Sequence, residues 1–137
     1  MGLTPEPDPT IAAYNDVAPF DLRPVCDWLG REITRGLPGA EAKVWHRTAV
    51  WFLAGNPIAG YAPRKAGVQL LFWSGQSFDE PGLRPEGKFK AAGVMLRAPG
   101  DVAPADLARW LDKAAGIQWD YAKIVKRRGV LEWLGEW

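Results

Sequence analysis

Four short apolar segments, separated by turn residues, constrain the fold of this chain more than any other feature. They cover residues 43–53, 58–62, 68–73 and 92–97. Their Val, Trp, Phe, Ile and Thr content is typical of β-strands, and AGNP and PRKAG between the first three read as turns. Because these three segments lie close together in sequence, an antiparallel meander is the simplest topology.

Helical periodicity flanks these strands on both sides. Leu22, Val25, Leu29 and Ile33 recur at helical spacing, which predicts a helix over 22–35 capped by Asp21. After Pro99-Gly100, a second stripe contains Leu107, Leu111 and Ala114 and stops at Gly116. Residues 117–129 allow a last short helix capped by Asp120. The sequence therefore predicts an α+β fold, in which an antiparallel sheet of about four to five strands packs on helices.

One domain accounts for most of the chain. Residues 1–19 contain four prolines and predict an extended or partly disordered N-terminal arm. Residues 20–129 form the α+β domain, and residues 130–137 form a C-terminal tail. Between residues 75 and 92 runs a long loop rich in Gly and Pro, and loops of this length are usually functional or mobile.

Composition excludes several classes of function. The chain of 137 residues has one histidine, His46, and one cysteine, Cys26, too few for the common zinc sites, and the only serines are Ser74 and Ser77. The net charge of +1 argues against a dedicated nucleic-acid binder. We expect a cytoplasmic protein that does not enter membranes, because the sequence shows neither a secretory signal nor an apolar run of about 20 residues.

The stretch VWHRTAVWF, residues 44–52, is the first candidate for a binding surface. If it is one continuous strand, alternation places Trp45, Arg47 and Trp51 on one face and His46 on the other. An arginine between two tryptophans suits cation–π stacking on an anionic or aromatic partner, although it can also simply cover apolar surface. His46 shares its face with Val44, Val50 and Phe52, which favours a packing role.

Two further strands extend the surface if they lie in the same orientation. Gln69, Leu71 and Trp73 share one face of the third strand, and Gly93, Met95 and Arg97 share one face of the fourth. Lys88, in the long loop, could reach over this face. The predicted ligand-binding set is therefore Trp45, Arg47, Trp51, Trp73, Lys88 and Arg97, with no catalytic residue and no metal ligand.

The ordered segments also resemble a known family. The helix around DWL, the turn LPGAEAKVW, the strands reaching AGNPIAGY and VQLLFWSG, the EGK loop and the strand ending in MLR are similar to the YdhG-like domain family, a domain of unknown function. The resemblance covers roughly residues 21–129. It implies an α+β fold with a general layout like that of frataxin. One member of the family has been described as a frataxin-like iron chaperone.

The leading hypothesis is a binding domain, rather than an enzyme, that holds a small molecule or a partner protein on the tryptophan-bearing face. Exposed tryptophans are equally compatible with a homodimer. The family resemblance implies iron binding as an alternative, but the first helix offers only Asp27 and Glu32 as ligands. An enzyme that uses His46 as acid or base is a third alternative, and it requires His46 in a cleft beside a carboxylate. Apart from iron, no cofactor is indicated.

Overall fold

A computed structural model describes residues 8–87, 89–121 and 133–136, which form an α+β fold. The helices are α1 (Pro9–Asp16), α2 (Arg23–Gly36) and α3 (Pro104–Gly116). The main sheet comprises β1 (Glu41–Trp45), β2 (Thr48–Leu53), β3 (Asn56–Arg64), β4 (Gly67–Phe72), β5 (Arg84–Pro85) and β6 (Ala92–Leu96). A small second sheet pairs β7 (Ile117–Trp119) with β8 (Trp133–Glu136).

The main sheet is antiparallel throughout, in the order β1-β2-β3-β4-β6-β5. The predicted sheet class and the meander are thus confirmed. The sheet has six strands instead of the predicted four to five. One reason is that the predicted strand over 43–53 is divided in two, and the other is that β5 lies in a segment predicted to be a loop.

All three helices pack on one face of the sheet. Trp51, Tyr61 and Phe72 point from β2, β3 and β4 towards the helices and are buried. Leu29 and Ile33 of α2 and Leu107 and Leu111 of α3 cover them, and all four are at most 1% exposed. Burial of these large apolar side chains is the main stabilising contribution to the fold.

The described part of the N-terminal segment differs from its predicted conformation. Residues 9–16 form α1, which starts at Pro9 after the Asp8 cap, so this part of the predicted extended arm is wrong. Ile11 is fully buried, and its burial against the core explains why residues 9–16 form a helix. Asp21 lies in a short 3-10 turn and does not cap α2.

Strand β7 stands where the last predicted helix was to begin. The buried Asn56 side-chain amide donates to the backbone oxygen of Trp119 at 2.9 Å, and its oxygen accepts from the Tyr121 backbone N–H at 2.8 Å. These bonds hold β7 and the residues that follow it, as far as Tyr121, against the start of β3. The remainder of that predicted helix, residues 122–129, lies outside the described residues. Among the described residues, no helix has the length and apolar character that a bilayer crossing requires.

Candidate functional site

The stretch at 44–52 is a hairpin. Strands β1 and β2 are joined by a two-residue turn, His46-Arg47, and Trp45 pairs with Thr48 across it. Both turn residues have positive φ, 50° and 62°, as in the tight turns that match the twist of antiparallel strands. The predicted continuous strand is therefore wrong. The turn contains neither Gly nor Asn, so the sequence carries no conventional turn signal here.

Because of this turn, the side chains of β2 that share a face with Trp45 are the opposite set from those predicted for a continuous strand. Because Trp45 pairs with Thr48, it shares a face with Val50 and Phe52, and Trp51 points to the opposite face. Trp51 is 1% exposed, and its indole N–H donates to the Thr34 hydroxyl of α2 at 3.3 Å. The predicted grouping of Trp45 with Trp51 is wrong, since Trp51 belongs to the core beneath the helices.

An aromatic cluster forms on the sheet face opposite the described helices. Its members are Trp45, Phe52 and Trp73, which come from β1, β2 and the end of β4. The ring centroid of Trp45 lies 5.7 Å from that of Phe52 and 6.4 Å from that of Trp73. The Lys43 Nζ lies 4.6 Å from the centroid of Phe52. Trp45 remains 38% exposed and Trp73 is half-buried, whereas Phe52 is 6% exposed, so the cluster is open to solvent through its two tryptophans.

A smooth strip of small and apolar residues runs across the sheet beside this cluster. The registers align Val50, Gly60, Leu71 and Gly93 across β2, β3, β4 and β6. They also place Gln69 opposite Met95 on the same face, as the sequence suggested for the third and fourth strands. We call the face that carries the cluster and this strip the aromatic face.

The far end of the aromatic face contains a shallow hollow of about 310 Å³. Gly93 is one of the residues that line it, and a side chain at this position would collide with the Leu70 carbonyl oxygen. Arg84 of β5 pairs with Gly93, and Glu86 follows directly. The hollow is lined by Gln69, Arg84, Glu86, Gly93, Val94 and Met95. It therefore combines apolar surface with one charged group of each sign.

The remaining predicted ligand-binding residues are dispersed. Arg47 is exposed in the hairpin turn, where its carbonyl oxygen accepts from the Tyr14 hydroxyl at 2.7 Å. Arg97 follows β6, and its guanidinium donates to the Ala66 carbonyl oxygen in the β3–β4 turn at 3.2 Å. Lys88 lies outside the described residues. Of the predicted set, the structure brings together Trp45 and Trp73.

The sequence reasoning missed Phe52 of the cluster and Lys43, which lies beside it. Phe52 was assigned to the face that packs on helices, together with His46. The signal that could have found both was the His46-Arg47 turn, because a two-residue connection at that point puts Phe52 and Lys43 beside Trp45 by alternation alone.

His46 does not take the packing role that the sequence favoured. It is exposed in the turn, and its ring centroid lies 4.6 Å from that of Trp45. Its position in a hairpin turn is not the cleft that the enzyme alternative requires. Among the described residues, no group of three or more His, Cys, Asp and Glu side chains could hold a metal ion.

The long loop is anchored by a carboxylate on the helix-bearing side of the sheet. Glu80, with a 6% exposed side chain, accepts two hydrogen bonds from Arg109 at 2.8 and 2.9 Å. It also accepts from Lys113 at 2.6 Å and from the Trp110 indole at 2.9 Å. Arg109, followed by Lys113 and Trp110, holds the pKa of Glu80 well below its usual range.

The anchor at Glu80 fixes the path of the rest of the described loop. Phe78 is buried against Phe72, with ring centroids 5.7 Å apart, on the helix side. The loop then turns along the sheet edge, where Arg84 reaches the hollow. The described part of the loop is thus fixed at the edge of the sheet and contributes to the aromatic face only through Arg84 and Glu86.

A second group of polar side chains forms hydrogen bonds that link β3, α1 and α2. The Tyr61 hydroxyl donates to the Asn15 side chain at 2.6 Å, and the Asn15 amide donates to Asp27 at 3.2 Å. Cys26 is fully buried beside them, and burial raises the pKa of its thiol to about 11. A thiol that stays protonated at neutral pH is a poor nucleophile, so Cys26 acts as a small apolar side chain in the core.

Comparison with known proteins does not add a relative. The chain matches no protein-family model, no curated protein and no solved structure.

Proposed function

We propose that the protein is a non-catalytic binding domain that holds a small molecule, or a segment of a partner protein, on its aromatic face. The observation that carries this proposal is the gathering of Phe52 and Trp73 around Trp45 on the face opposite the described helices, with ring centroids 5.7 and 6.4 Å from that of Trp45. Trp45 and Trp73 keep part of their surface open, and large apolar side chains left open on a sheet face are characteristic of interaction sites. Met95, 41% exposed, extends the apolar surface towards the hollow at Gly93.

The chemistry of the surface favours a flat apolar group that carries a negative charge. Indole and phenyl rings stack on planar groups, and tryptophan supplies a large contact area at a low cost in side-chain entropy. Lys43 provides a cation beside the rings, which would pair with an anionic substituent. The residues proposed for binding are Trp45 and Trp73, from the sequence, joined by Lys43 and Phe52.

The test uses 8-anilinonaphthalene-1-sulfonate, a planar aromatic anion, as the probe. Titration followed by the indole N–H signals in two-dimensional NMR should shift the signals of Trp45 and Trp73 and leave that of the buried Trp51 in place. Site-resolved signals are needed because this dye also binds partly unfolded protein. Shifts confined to tryptophans other than Trp45 and Trp73 would contradict the proposal.

Variants with matched controls sharpen the assignment. Trp45→Ala should weaken binding of the dye about tenfold or more, whereas Phe20→Ala, which removes a ring that is 82% exposed elsewhere, should not. Lys43→Ala should weaken binding more than Lys65→Ala, which removes a lysine from the exposed β3–β4 turn. Equal effects within each pair would indicate binding that is not specific to the aromatic face.

One measurement distinguishes ligand binding on the aromatic face from iron delivery, the alternative implied by the YdhG-like resemblance. Anaerobic calorimetric titration with ferrous iron should show no micromolar binding if the aromatic face is the functional site. Micromolar binding of ferrous iron would favour the alternative.

A further inference from the structure

The outer edge of β1 is an unpaired strand edge. In the part of the chain that the structure describes, β1 pairs with β2 and stands at the end of the six-stranded sheet. Trp45 and Thr48 close a two-residue turn, and such a closing pair is hydrogen-bonded. Alternation then directs the backbone groups of Glu41, Lys43 and Trp45 towards β2, and those of Ala42 and Val44 outwards.

The described helices leave Val44 of this edge partly uncovered. α1 packs near β1, and the Tyr14 hydroxyl binds the Arg47 carbonyl oxygen at the far end of the strand. Val44 nevertheless remains 42% exposed, although its side chain is on the helix-bearing face. Exposed edges with free N–H and C=O groups add further strands readily unless something opposes the pairing.

The charges of β1 are complementary to a second copy of β1. Glu41 and Lys43 point to the same face, are exposed, and lie 3.8 Å apart at their charged atoms. In an antiparallel pair with its twofold axis at Ala42, Glu41 of each copy lies opposite Lys43 of the other. Opposite charges at such non-hydrogen-bonded positions are favourable, whereas an axis at Lys43 would place two lysines opposite each other.

We propose that two copies of this protein associate through antiparallel pairing of their β1 edges, with the axis at Ala42. The outward N–H and C=O groups of the two Ala42 residues bond to each other, and the N–H of Val44 donates to the carbonyl oxygen of Ala40 of the second copy, whose own N–H is bonded to Leu37 at 3.1 Å. The pairing joins the two six-stranded sheets into one and sets the two aromatic faces side by side. The pairing shares Lys43 with the aromatic face, so association is measured on the protein without added ligand.

Charge reversal tests the pairing. Because the contact between two five-residue strands is small, we expect a weak dimer, measured by analytical ultracentrifugation from about 10 µM to about 1 mM. Glu41→Lys and Lys43→Glu should each raise the dimer dissociation constant roughly tenfold, since each creates two like-charge pairs. The double variant Glu41→Lys/Lys43→Glu should restore the wild-type value. A monomer throughout the range, or failure of the double variant to restore association, would overturn the proposal.

Cross-linking tests the register. Ala42→Cys places two cysteines at a hydrogen-bonded pair about 5.5 Å apart at Cα, within the range for a disulfide. Val44→Cys is the control, because its copies lie about four residues apart along the paired strands, roughly 13 Å. Rapid oxidation of Ala42→Cys to a disulfide-linked dimer, with slow oxidation of Val44→Cys, is the expected result. The reverse order would show that the register is wrong.

Discussion

The ring of Trp73 lies directly over the backbone of Gly60, so closely that a Cβ at Gly60 would come within 3.3 Å of the indole Cη2 atom. The same Cβ would collide with the carbonyl oxygen of Ala49 on the neighbouring strand. The absence of a side chain at Gly60 therefore lets two strands approach and lets Trp73 lean towards Trp45. The aromatic cluster depends on this glycine.

Gly60→Ala is expected to destabilise the protein by about 1–3 kcal/mol, because the neighbouring backbone must move to accommodate one methyl group. Urea denaturation would measure the loss. The emission spectrum of the folded variant should also change, since Trp73 is displaced. Unchanged stability together with an unchanged spectrum would show that the contact is looser than described.

Trp51→Ala should lower the free energy of unfolding much more than Trp45→Ala, although the two tryptophans are six residues apart on one hairpin. Loss of the buried Trp51 ring should cost about 3–5 kcal/mol in the free energy of unfolding, because it leaves a cavity under α2. Loss of the partly exposed Trp45 should cost about 1 kcal/mol or less. Chemical denaturation of both variants measures the two losses in the free energy of unfolding. Equal losses would contradict the assignment of Trp51 to the face of β2 that packs on the helices.

Replacing the turn residues should stabilise the hairpin. His46 and Arg47 both adopt positive φ, which is unfavourable for residues with a Cβ. His46→Asn/Arg47→Gly supplies the pair preferred in such turns and should raise the melting temperature by about 2–5 °C. The backbone carbonyl that binds Tyr14 is retained in this variant. A fall in melting temperature would indicate that the His46 ring against Trp45, or the Arg47 side chain, contributes more than the strain costs.

Glu80→Gln should destabilise the protein at neutral pH and much less in acid. The folded pKa of Glu80 lies below its ordinary value of about 4.3, so its ionised form contributes stability above that pH, and the contribution is lost as the pH falls further. Melting curves from pH 7 to pH 2 should therefore converge for wild type and variant. Asp106→Asn is the matched control, because Asp106 also binds Arg109 at 3.0 Å but is 45% exposed. An equal effect of the two substitutions would contradict the anchoring role of Glu80.

Much of the fold could be predicted from local patterns. The helix at 22–35 is found at Arg23–Gly36, and the helix containing Leu107 and Leu111 is found at Pro104–Gly116. The antiparallel pairing of neighbouring strands follows from their short connections. These features depend on periodicity and on turn residues within a few positions, and both can be read from the chain itself.

The candidate site was only partly accessible to the same reasoning. Trp45 and Trp73 were placed on one face, and the registers of β4 and β6 support the predicted grouping of Leu71 and Met95. Trp51 was misplaced because one unrecognised turn inverts the alternation of every residue after it. Glu80 was missed as an anchor, since its partners on α3 lie some 30 positions away in sequence.

The sequence by itself determined the α+β class, the antiparallel order and the excess of tryptophan, because hydrophobic periodicity and turn chemistry are local properties of the chain. Only the tertiary structure decided which tryptophans are buried and which remain open. That decision depends on the hairpin at His46-Arg47, whose residues adopt positive φ despite having no intrinsic preference for a turn. Pairing of the strands on either side, and burial of Trp51 beneath α2, supply the free energy that holds the turn in place.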